Sequence, residues 1–401
     1  TGPVIGRPKS ATFRTVDVVG LDTLVHVANG LYNGVPDDEA HDLFKLPSYI
    51  ETMMENKWLG SKTKQGFYKK SVDEKGKKQI LGLDLDTLEY RPSKKVNFAT
   101  LGATKTIDKV IDRFKVLVKG KDKAGEFYRK IFTAMFAYVQ NRIPEISDEL
   151  YRLDDAMKAG FGWEHGPYQI WDAIGVEAGI ELMKKEGYEP ASWVNEMIEK
   201  GNDSFYNVKD GVKYYYDISS KSYVKIPGQD SFIILDNVRE SKTIWSNTEA
   251  SIQHLGDGVL NVEFQSKMNT IGGGVLEAIN KGIDLAEQEY EAVILGNQAA
   301  NFSVGANLAM AFMLAVEQEY DELSMATKMF QDTVMRLRYS SVPTLITQRG
   351  MTFGGACEMS MHADKVIAAA ETYTGLVEFG VGIIPAGAGT KELTKRVSDL
   401  W

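Results

Sequence analysis

The first half of the sequence repeats one succession of residues, and this repeat constrains the fold more than any other feature. Residues 13–22 and 168–177 correspond at one constant offset, and each segment places an aspartate three residues before a glycine. Further markers follow in the same order: a proline close to an aromatic residue, a Phe-Tyr pair, and a polar segment that ends at a proline. Such a succession indicates two copies of one structural unit.

Each copy carries mainly helical patterns. In the first copy Val18, Leu21 and Val25 recur at helix spacing, and in the second copy residues 127–139 form a strongly apolar helix candidate. Glycines near residues 76 and 211 predict short hairpins. We therefore predict two mainly α-helical domains, over residues 1–100 and 101–228.

The pattern changes after Pro227, where short β-rich segments begin to alternate with helical ones. This alternation predicts an α/β domain over residues 229–401. The predicted strands are residues 259–264, 292–295 and 344–347, and the predicted helices are residues 274–285 and 308–338.

Composition excludes several classes of function. An apolar fraction of 43% and a charged fraction of 25% are typical of a globular protein, and the net charge of −9 argues against a nucleic-acid partner. No apolar run is long enough for a membrane span. A single cysteine forbids an internal disulfide, so we expect a reducing, cytoplasmic compartment. The five histidines are scattered without metal-ligand spacing, so no metal site is predicted.

The two ends predict that the chain is part of a longer protein. It begins without an initiator Met, and residues 391–401 stop inside an amphipathic helix pattern. We expect the first domain to be incomplete at its start and the last domain to be incomplete at its end.

Two glutamates in glycine-rich, apolar surroundings are the strongest candidates for chemistry. Glu358 ends the segment 353–358, Glu378 lies within 374–380, and a third glycine-containing loop occupies 302–307. Glycine where a strand leads into a helix leaves backbone N–H groups free and lets a ligand approach the main chain. Two carboxylates beside such amides are the groups needed to handle a water molecule and hold an anionic oxygen.

Three motifs, at residues 303–307, 354–358 and 377–390, occur in the order and spacing of the crotonase superfamily. The last third resembles that superfamily, whose fold is a spiral of ββα turns. Residues 6–8 and 17–22 resemble the tandem C-terminal helical domains of 3-hydroxyacyl-CoA dehydrogenases. The whole chain resembles a fused dehydrogenase/hydratase of fatty-acid β-oxidation.

The resemblance implies the activity of an enoyl-CoA hydratase, which adds water to trans-2-enoyl-CoA to give 3-hydroxyacyl-CoA. It assigns the N–H groups of Ala306 and Gly355 to the thioester oxygen, where each donor is worth roughly 2.7–4 kcal/mol in the barrier. Glu358 would orient and deprotonate water, and Glu378 would protonate the α-carbon. This division of roles is a separate expectation, because coupled carboxylates share their protons.

The resemblance also implies the ligands and partners. Lys267, Met268 and Val304 are the expected contacts of coenzyme A, and the acyl-CoA thioester is the substrate, so hydration needs no cofactor. NAD would serve the dehydrogenase half of the parent protein. No Gly-x-Gly-x-x-Gly fingerprint occurs in the sequence, so we expect the NAD-binding domain to precede Thr1. A thiolase subunit or a second copy of the chain is the implied protein partner.

Two alternatives to hydration stay open. An enoyl-CoA isomerase or another thioester-enolate reaction would use the same fold, and a non-catalytic fragment would only bind acyl-CoA. Two neighbouring residues have simpler explanations: Asn307 is expected to cap a helix, and Cys357 to be a small buried hydrophobe.

Overall fold

The computed structural model describes residues 1–93 and 96–400. These residues form two compact units. The first unit contains Thr1–Asn207 and Tyr214–Ile226, and the second contains Val208–Lys213 and the chain from Pro227 onward. The domain boundaries predicted at residues 100 and 228 stay predictions. Trp401, the end of the predicted terminal helix, lies outside the described residues.

The first unit is mainly helical, as its periodicity predicts. Its helices are α1 (Phe13–Val19), α2 (Leu21–Gly34), α3 (Ser48–Glu55), α4 (Ala99–Ala103), α5 (Val110–Lys119), α6 (Lys123–Gln140), α7 (Leu150–Phe161), α8 (Pro167–Ile174), α9 (Val176–Lys185) and α10 (Ser192–Glu199). Its strands near the first predicted hairpin are β1 (Tyr68–Val72), β2 (Lys78–Leu83) and β3 (Tyr90–Pro92). Near the second predicted hairpin they are β4 (Tyr206–Lys209), β5 (Val212–Asp217) and β6 (Ser222–Lys225). The segment Val208–Lys213, which contains the turn between β4 and β5, belongs to the second unit.

The two copies keep the same helix break. Gly20 separates α1 from α2 at φ +117°, and Gly175 separates α8 from α9 at φ +102°. Glycine adopts such positive φ values without the steric cost that other residues meet, which explains why both copies carry it there.

An aspartate in each copy ties this helix break to the downstream Phe-Tyr pair. Asp17 accepts hydrogen bonds from the amides of residues 67 and 68, both at 2.8 Å. Asp172 accepts the two equivalent bonds from residues 205 and 206, at 2.7 and 3.0 Å. The shared contacts show that the sequence repeat is also a structural repeat.

Replacing Asp17 with Asn is expected to destabilise the first unit by about 1–3 kcal/mol, since a buried amide donor loses its acceptor. Asp17 is 2% exposed, and an Asn side chain offers one oxygen where the carboxylate offers two. Urea denaturation followed by circular dichroism measures the change. The matched control is Asn at the exposed Asp37. Equal midpoints for both variants would contradict a structural role for this carboxylate.

Two separate hydrophobic clusters hold the first unit together. Ile5, from a 3-10 turn at Pro3–Ile5, packs into the larger cluster with the second copy. The smaller cluster belongs to the first copy and consists of buried Leu21, Ile50, Met53 and Phe67. The largest fully buried members of the other cluster are Trp171, Tyr168, Tyr216, Phe114, Phe132, Phe136 and Phe205.

The second unit alternates strands and helices. Its helices are α11 (Leu235–Lys242), α12 (Gly273–Glu289), α13 (Leu308–Val316), α14 (Tyr320–Arg338), α15 (Gly355–Ser360) and α16 (Gly389–Ser398). Its strands are β7 (Thr243–Ser246), β8 (Ala250–Gly256), β9 (Val259–Phe264), β10 (Ala292–Leu295), β11 (Thr344–Gln348), β12 (Met351–Phe353), β13 (Lys365–Ala368) and β14 (Tyr373–Gly375).

Six strands form one mixed sheet in the order β13-β11-β10-β9-β8-β7. Strands β7, β8 and β9 pair antiparallel, whereas β9, β10, β11 and β13 pair parallel. A second, two-stranded sheet pairs β12 with β14 in parallel. Helix α12 packs on this arrangement through buried residues that include Val275, Ile279 and Ile283. Parallel strands with helical crossovers bring several strand-to-helix turns together, which positions the site described next.

One predicted helix is wrong in its length. Residues 308–338 form α13 and α14 instead of one continuous helix. Gln318 lies between them at φ +63°, a left-handed conformation that ends a helix.

No helix within the described residues combines the length and apolar character needed to cross a membrane.

Candidate active site

A cavity of about 250 Å³ in the second unit collects the predicted catalytic residues. We call it the glutamate cavity. Five of the predicted site residues line it: Glu358, Glu378, Ala306, Gly355 and Val304. The remaining wall is largely apolar and includes Leu276, Leu314, Leu323, Phe330, Ile383 and Ile384. A mostly apolar cavity with a few convergent polar groups is the usual form of a small-molecule site.

The loop that carries Ala306 runs along the start of β12. Ser303 pairs with Thr352, and the Phe353 amide donates to the Ser303 carbonyl at 3.0 Å. Gly305 has φ +90°, and a Cβ placed on it would lie 2.7 Å from the Phe353 carbonyl oxygen and 3.3 Å from the Gly355 nitrogen. Only glycine fits this close approach, which brings the loop that carries Ala306 against the start of α15.

The Gly355 amide is the first of helix α15. Gly354 precedes it at φ +54° and donates its own N–H to the Gly375 carbonyl at 2.9 Å. Gly355 is the first residue of α15, and Ala306 lies two residues before the start of α13. The first N–H groups of a helix have no partner within it, so this donor can hold an anionic oxygen in the cavity.

Glu358 lies one turn into α15 and is only 3% exposed. One carboxyl oxygen, Oε1, accepts a hydrogen bond from the Gly389 amide at 2.8 Å. Burial raises the pKa of the Glu358 carboxyl above its ordinary value of 4.5, and the nearby charge of Glu378 adds to this rise, while the Gly389 and Gly387 amides oppose it. The result is a carboxyl group that is fixed in place and takes up a proton more readily than an exposed glutamate does.

Glu378 begins a 3-10 helix, Glu378–Val381, that follows β14. The side chain is 8% exposed, and among the described residues its Oε2 atom is buried without a hydrogen-bond partner. Gly354 leaves room for it, because a Cβ there would lie 3.0 Å from Oε1 of Glu378. A buried carboxylate oxygen with no partner is costly unless a ligand supplies one, so Glu378 offers the cavity a free acceptor.

Gly387 and Gly389 lie against the Glu358 carboxyl group, and the sequence analysis assigned them no role. A Cβ on Gly387 would lie 2.5 Å from Oε2 of Glu358, and a Cβ on Gly389 would lie 2.8 Å from Oε1. Both glycines belong to the motif 377–390, so the signal was present. The contact itself could not be predicted, because it joins residues that are far apart in sequence.

The expected coenzyme A contacts divide into two groups. Val304 lines the cavity, whereas Lys267 and Met268 lie in a 3-10 turn, Lys267–Asn269, outside the lining residues. Met268 is 52% exposed and has φ +58°. The same segment reaches the site at Ile271, which pairs with Ala306. The coenzyme A role of these residues stays a prediction.

Two residues beside the site have simpler explanations; Asn307 fits its own, whereas Cys357 is only half-buried and not the fully buried hydrophobe expected. The Asn307 side chain accepts a hydrogen bond from the Met310 amide at 3.3 Å and so caps α13. Burial raises the pKa of the Cys357 thiol, which argues against a reactive thiolate. In the same described residues, no group of three His, Cys, Asp or Glu side chains is arranged to hold a metal ion.

Comparisons with known proteins match two parts of this chain to two protein families. Residues 254–399 match the enoyl-CoA hydratase/isomerase family, and residues 4–70 match the C-terminal domain of 3-hydroxyacyl-CoA dehydrogenase. The chain is a helical dehydrogenase-type region followed by a crotonase-fold domain. The predicted fold class is thereby confirmed, and the second unit is called the crotonase-fold domain from here on.

Two relatives that align with nearly all of this chain are named as a 3-hydroxyacyl-CoA dehydrogenase and a fatty acid oxidation enzyme. A probable 3-hydroxyacyl-CoA dehydrogenase of Bacillus subtilis (strain 168) is 42% identical over 98% of this chain and 49% of its own length. A putative fatty acid oxidation complex trifunctional enzyme of Rickettsia prowazekii (strain Madrid E) is 27% identical over 98% of this chain and 50% of its own length. The chain therefore spans about half the length of these curated relatives.

Solved structures similar to the chain include enoyl-CoA hydratases. The enzyme from Bacillus anthracis is 24% identical, with a TM-score of 0.34 over 37% of this chain and 58% of its own. The enzyme from Polaromonas sp. JS666 is 19% identical, with a TM-score of 0.35 over 36% of this chain and 58% of its own.

Proposed function

We propose that the crotonase-fold domain hydrates trans-2-enoyl-CoA to 3-hydroxyacyl-CoA. The observation that carries this proposal is the presence of Glu358, Glu378 and the amides of Ala306 and Gly355 around one cavity. Two carboxyl groups can move the two protons of the reaction, and two amides can hold the charge that forms in between.

The reaction begins when the thioester oxygen accepts hydrogen bonds from the Ala306 and Gly355 amides. These donors draw electrons toward the carbonyl and make the β-carbon electrophilic. Glu358 takes a proton from water while the water oxygen bonds to the β-carbon, and the double-bond electrons move to give an enolate. A carboxyl proton on Glu378 then passes to the α-carbon as the carbonyl forms again. The proton now on Glu358 passes to Glu378 through a water molecule, which restores both groups, so the sum is one water added across the double bond.

The structure supports this division of roles in two ways. The Gly389 amide fixes Glu358, so that it can aim its second oxygen at a water molecule. Glu378 has a free oxygen and can bind the same water or face the α-carbon. The apolar wall, which includes Leu314, Phe330 and Ile384, would surround the acyl chain and keep bulk water from the enolate.

The test is to mix the purified chain with crotonyl-CoA and follow the absorbance of the conjugated thioester. We expect the absorbance to fall and a product to form that is heavier by one water, with ¹⁸O from labelled water on the β-carbon. Binding without any fall in absorbance would favour the non-catalytic fragment. Interconversion of 2-enoyl and 3-enoyl isomers without ¹⁸O uptake would favour an isomerase.

The pH profile of hydration is expected to fall on its acid side at a pH above 4.5. Glu358 must be ionised to accept a proton from water, and its pKa is raised above 4.5, so activity is lost as pH drops through that raised value. The measurement is kcat/KM against pH, with circular dichroism at each pH to confirm that the fold persists. An acid limb at or below 4.5 would contradict the assignment of Glu358 as the base.

The activity and partners of a longer parent protein are part of the same proposal. We propose that the 3-hydroxyacyl-CoA formed by the crotonase-fold domain passes to a dehydrogenase site of the parent protein, and that this site uses NAD. The sequence has no dinucleotide fingerprint, and no residue of this chain is assigned to NAD. Association with a thiolase subunit or a second copy, and a cytoplasmic location, stay proposals as well.

A further inference from the structure

A partly buried ion pair between Arg338 and Glu392 is connected to Glu358 through α16. Glu392, on α16, is 2% exposed and accepts hydrogen bonds from both terminal nitrogens of Arg338, at 2.7 and 2.6 Å. Arg338 is the last residue of α14. The pairing holds the pKa of Glu392 at about 2. Bidentate pairs of this kind fix geometry as well as charge, so the contact sets where α16 lies on α14.

The same ion pair reaches the end of α15. Arg338 also donates to the Met361 carbonyl at 3.2 Å, and Arg396 of α16 donates to that carbonyl at 2.8 Å. Met361 directly follows α15, the helix that carries Gly355 and Glu358. Three helices are therefore joined at one point next to the glutamate cavity.

His362 lies beside the same ion pair. Its Nδ1 lies 2.7 Å from the main-chain oxygen of Glu358. A carbonyl oxygen only accepts, so Nδ1 carries the proton. The other ring nitrogen is buried without a hydrogen-bond partner in the described residues and lies 3.7 Å from Oε1 of Glu392. Burial lowers the pKa of His362, which keeps the ring neutral.

Helix α16 connects this network to the Glu358 carboxyl group. Gly389 is the first residue of α16 and donates its N–H to Oε1 of Glu358, while Glu392 lies three residues further along the same helix. Any shift of α16 on α14 would therefore move the Gly389 amide away from the catalytic carboxylate.

We propose that Arg338 and Glu392 are positioning residues, which fix α16 so that the Gly389 amide holds Glu358 in its productive orientation. This inference rests on the proposed hydratase function, because Glu358 matters only if it handles the reacting water. Neither residue lines the cavity, so both would act through Glu358 and not on the substrate.

A second ion pair on α14 provides a matched control. Arg336, two residues before Arg338, binds Glu287 of α12 through both terminal nitrogens, at 3.0 and 2.5 Å. Its partner also has a pKa lowered to about 2. This pair joins α14 to α12 and leaves α15 and α16 untouched, so it has a similar chemistry without a link to Glu358.

The charged and titratable groups near Glu358 come from several elements and bear on any pH test. They are Glu378 in the 3-10 helix, Cys357 on α15, His362 just after α15, Arg338 on α14, and Lys391, Glu392 and Arg396 on α16.

The experiment compares Glu392→Gln with Glu287→Gln in the whole chain. Because small misplacement of a catalytic group costs up to about 10²-fold in rate, we expect Glu392→Gln to lower kcat roughly 10- to 100-fold with KM nearly unchanged. The acid limb should move to higher pH as Glu358 loses the Gly389 hydrogen bond. Exchange of the Gly389 amide hydrogen, followed by NMR, should become faster. Glu392→Asp should restore part of kcat.

Glu287→Gln is expected to keep the kcat, the pH profile and the Gly389 exchange rate of the parent chain. Equal losses of kcat in both variants, or unchanged Gly389 exchange in Glu392→Gln, would overturn the positioning role. Gly389 exchange needs no turnover. If the unsubstituted chain fails to hydrate crotonyl-CoA, the proposed function fails, while the exchange rates still decide whether the ion pair holds this amide.

Discussion

Replacing either Glu358 or Glu378 with Gln is expected to lower kcat for hydration by roughly 10²–10⁴-fold, the usual contribution of a general acid or base. Each variant loses one group that can gain and lose a proton, while its size and the apolar wall stay the same. KM should change little, since neither carboxylate is proposed to bind the coenzyme A portion. Initial rates with crotonyl-CoA over a range of concentrations measure both parameters.

The fold is expected to survive both substitutions. A Gln at 358 can still accept the Gly389 hydrogen bond through its amide oxygen, and Glu378 has no partner to lose at Oε2 among the described residues. Gln at the exposed Glu371 is the control for handling and expression. Thermal midpoints close to that control would confirm that lost activity reflects lost chemistry.

The need for two carboxyl groups distinguishes hydration from isomerisation. Hydration uses one carboxyl group at the water and one at the α-carbon, so both single variants should fail. An isomerase moves one proton between two carbons and can do so with a single carboxylate. High retained activity in either variant would therefore contradict the hydratase mechanism and favour an isomerase.

Part of the candidate site could be predicted because two of its residues are close together in sequence. Gly355 and Glu358 are three residues apart at the start of a short helix, which places an amide and a carboxyl group on the same side of one turn. Ala306 and Glu378 required the motif order as well, since they reach the cavity from other loops. All four residues line the glutamate cavity.

The supporting contacts could not be predicted, because they join residues that no local pattern connects. From the sequence, Glu392 is expected to be an exposed charged residue on an amphipathic helix. In the structure it is buried and accepts hydrogen bonds from Arg338. The sequence repeat predicted that Asp17 and Asp172 correspond. It did not indicate that each would accept hydrogen bonds from the backbone amides of a distant Phe-Tyr pair. Periodicity shows which face of a helix is apolar and leaves its polar partners undetermined.

The break between α13 and α14 is a related failure. The helical pattern continues across residues 316–320, so sequence periodicity favoured one helix. A single left-handed residue, Gln318, turns the chain there. Separating the two helices lets both contribute to the glutamate cavity, α13 through Leu308 and Leu314, and α14 through Phe330. The sequence carries no glycine or proline at this turn that would have marked it.

Replacing Gly387 with Ala is expected to reduce hydration strongly, by about 10²-fold, because the added methyl group has no free space. A Cβ at this position would lie 2.5 Å from Oε2 of Glu358 and would also overlap the Phe330 ring. Either the carboxyl group or the ring must move, and overpacking of this kind costs about 1–3 kcal/mol in stability. Steady-state kinetics and thermal unfolding of the purified variant measure the two effects.

Gly380→Ala is the matched control, because this glycine lies close to Glu378 in sequence and a Cβ there would meet nothing within 4 Å. It should keep normal activity and stability. The loss of hydration rate in Gly387→Ala tests whether catalysis depends on the packing around Glu358, since Gly387 has no side chain that could give or take a proton. A Gly387→Ala variant as active as Gly380→Ala would contradict the expected dependence of hydration on close packing around the Glu358 carboxyl group.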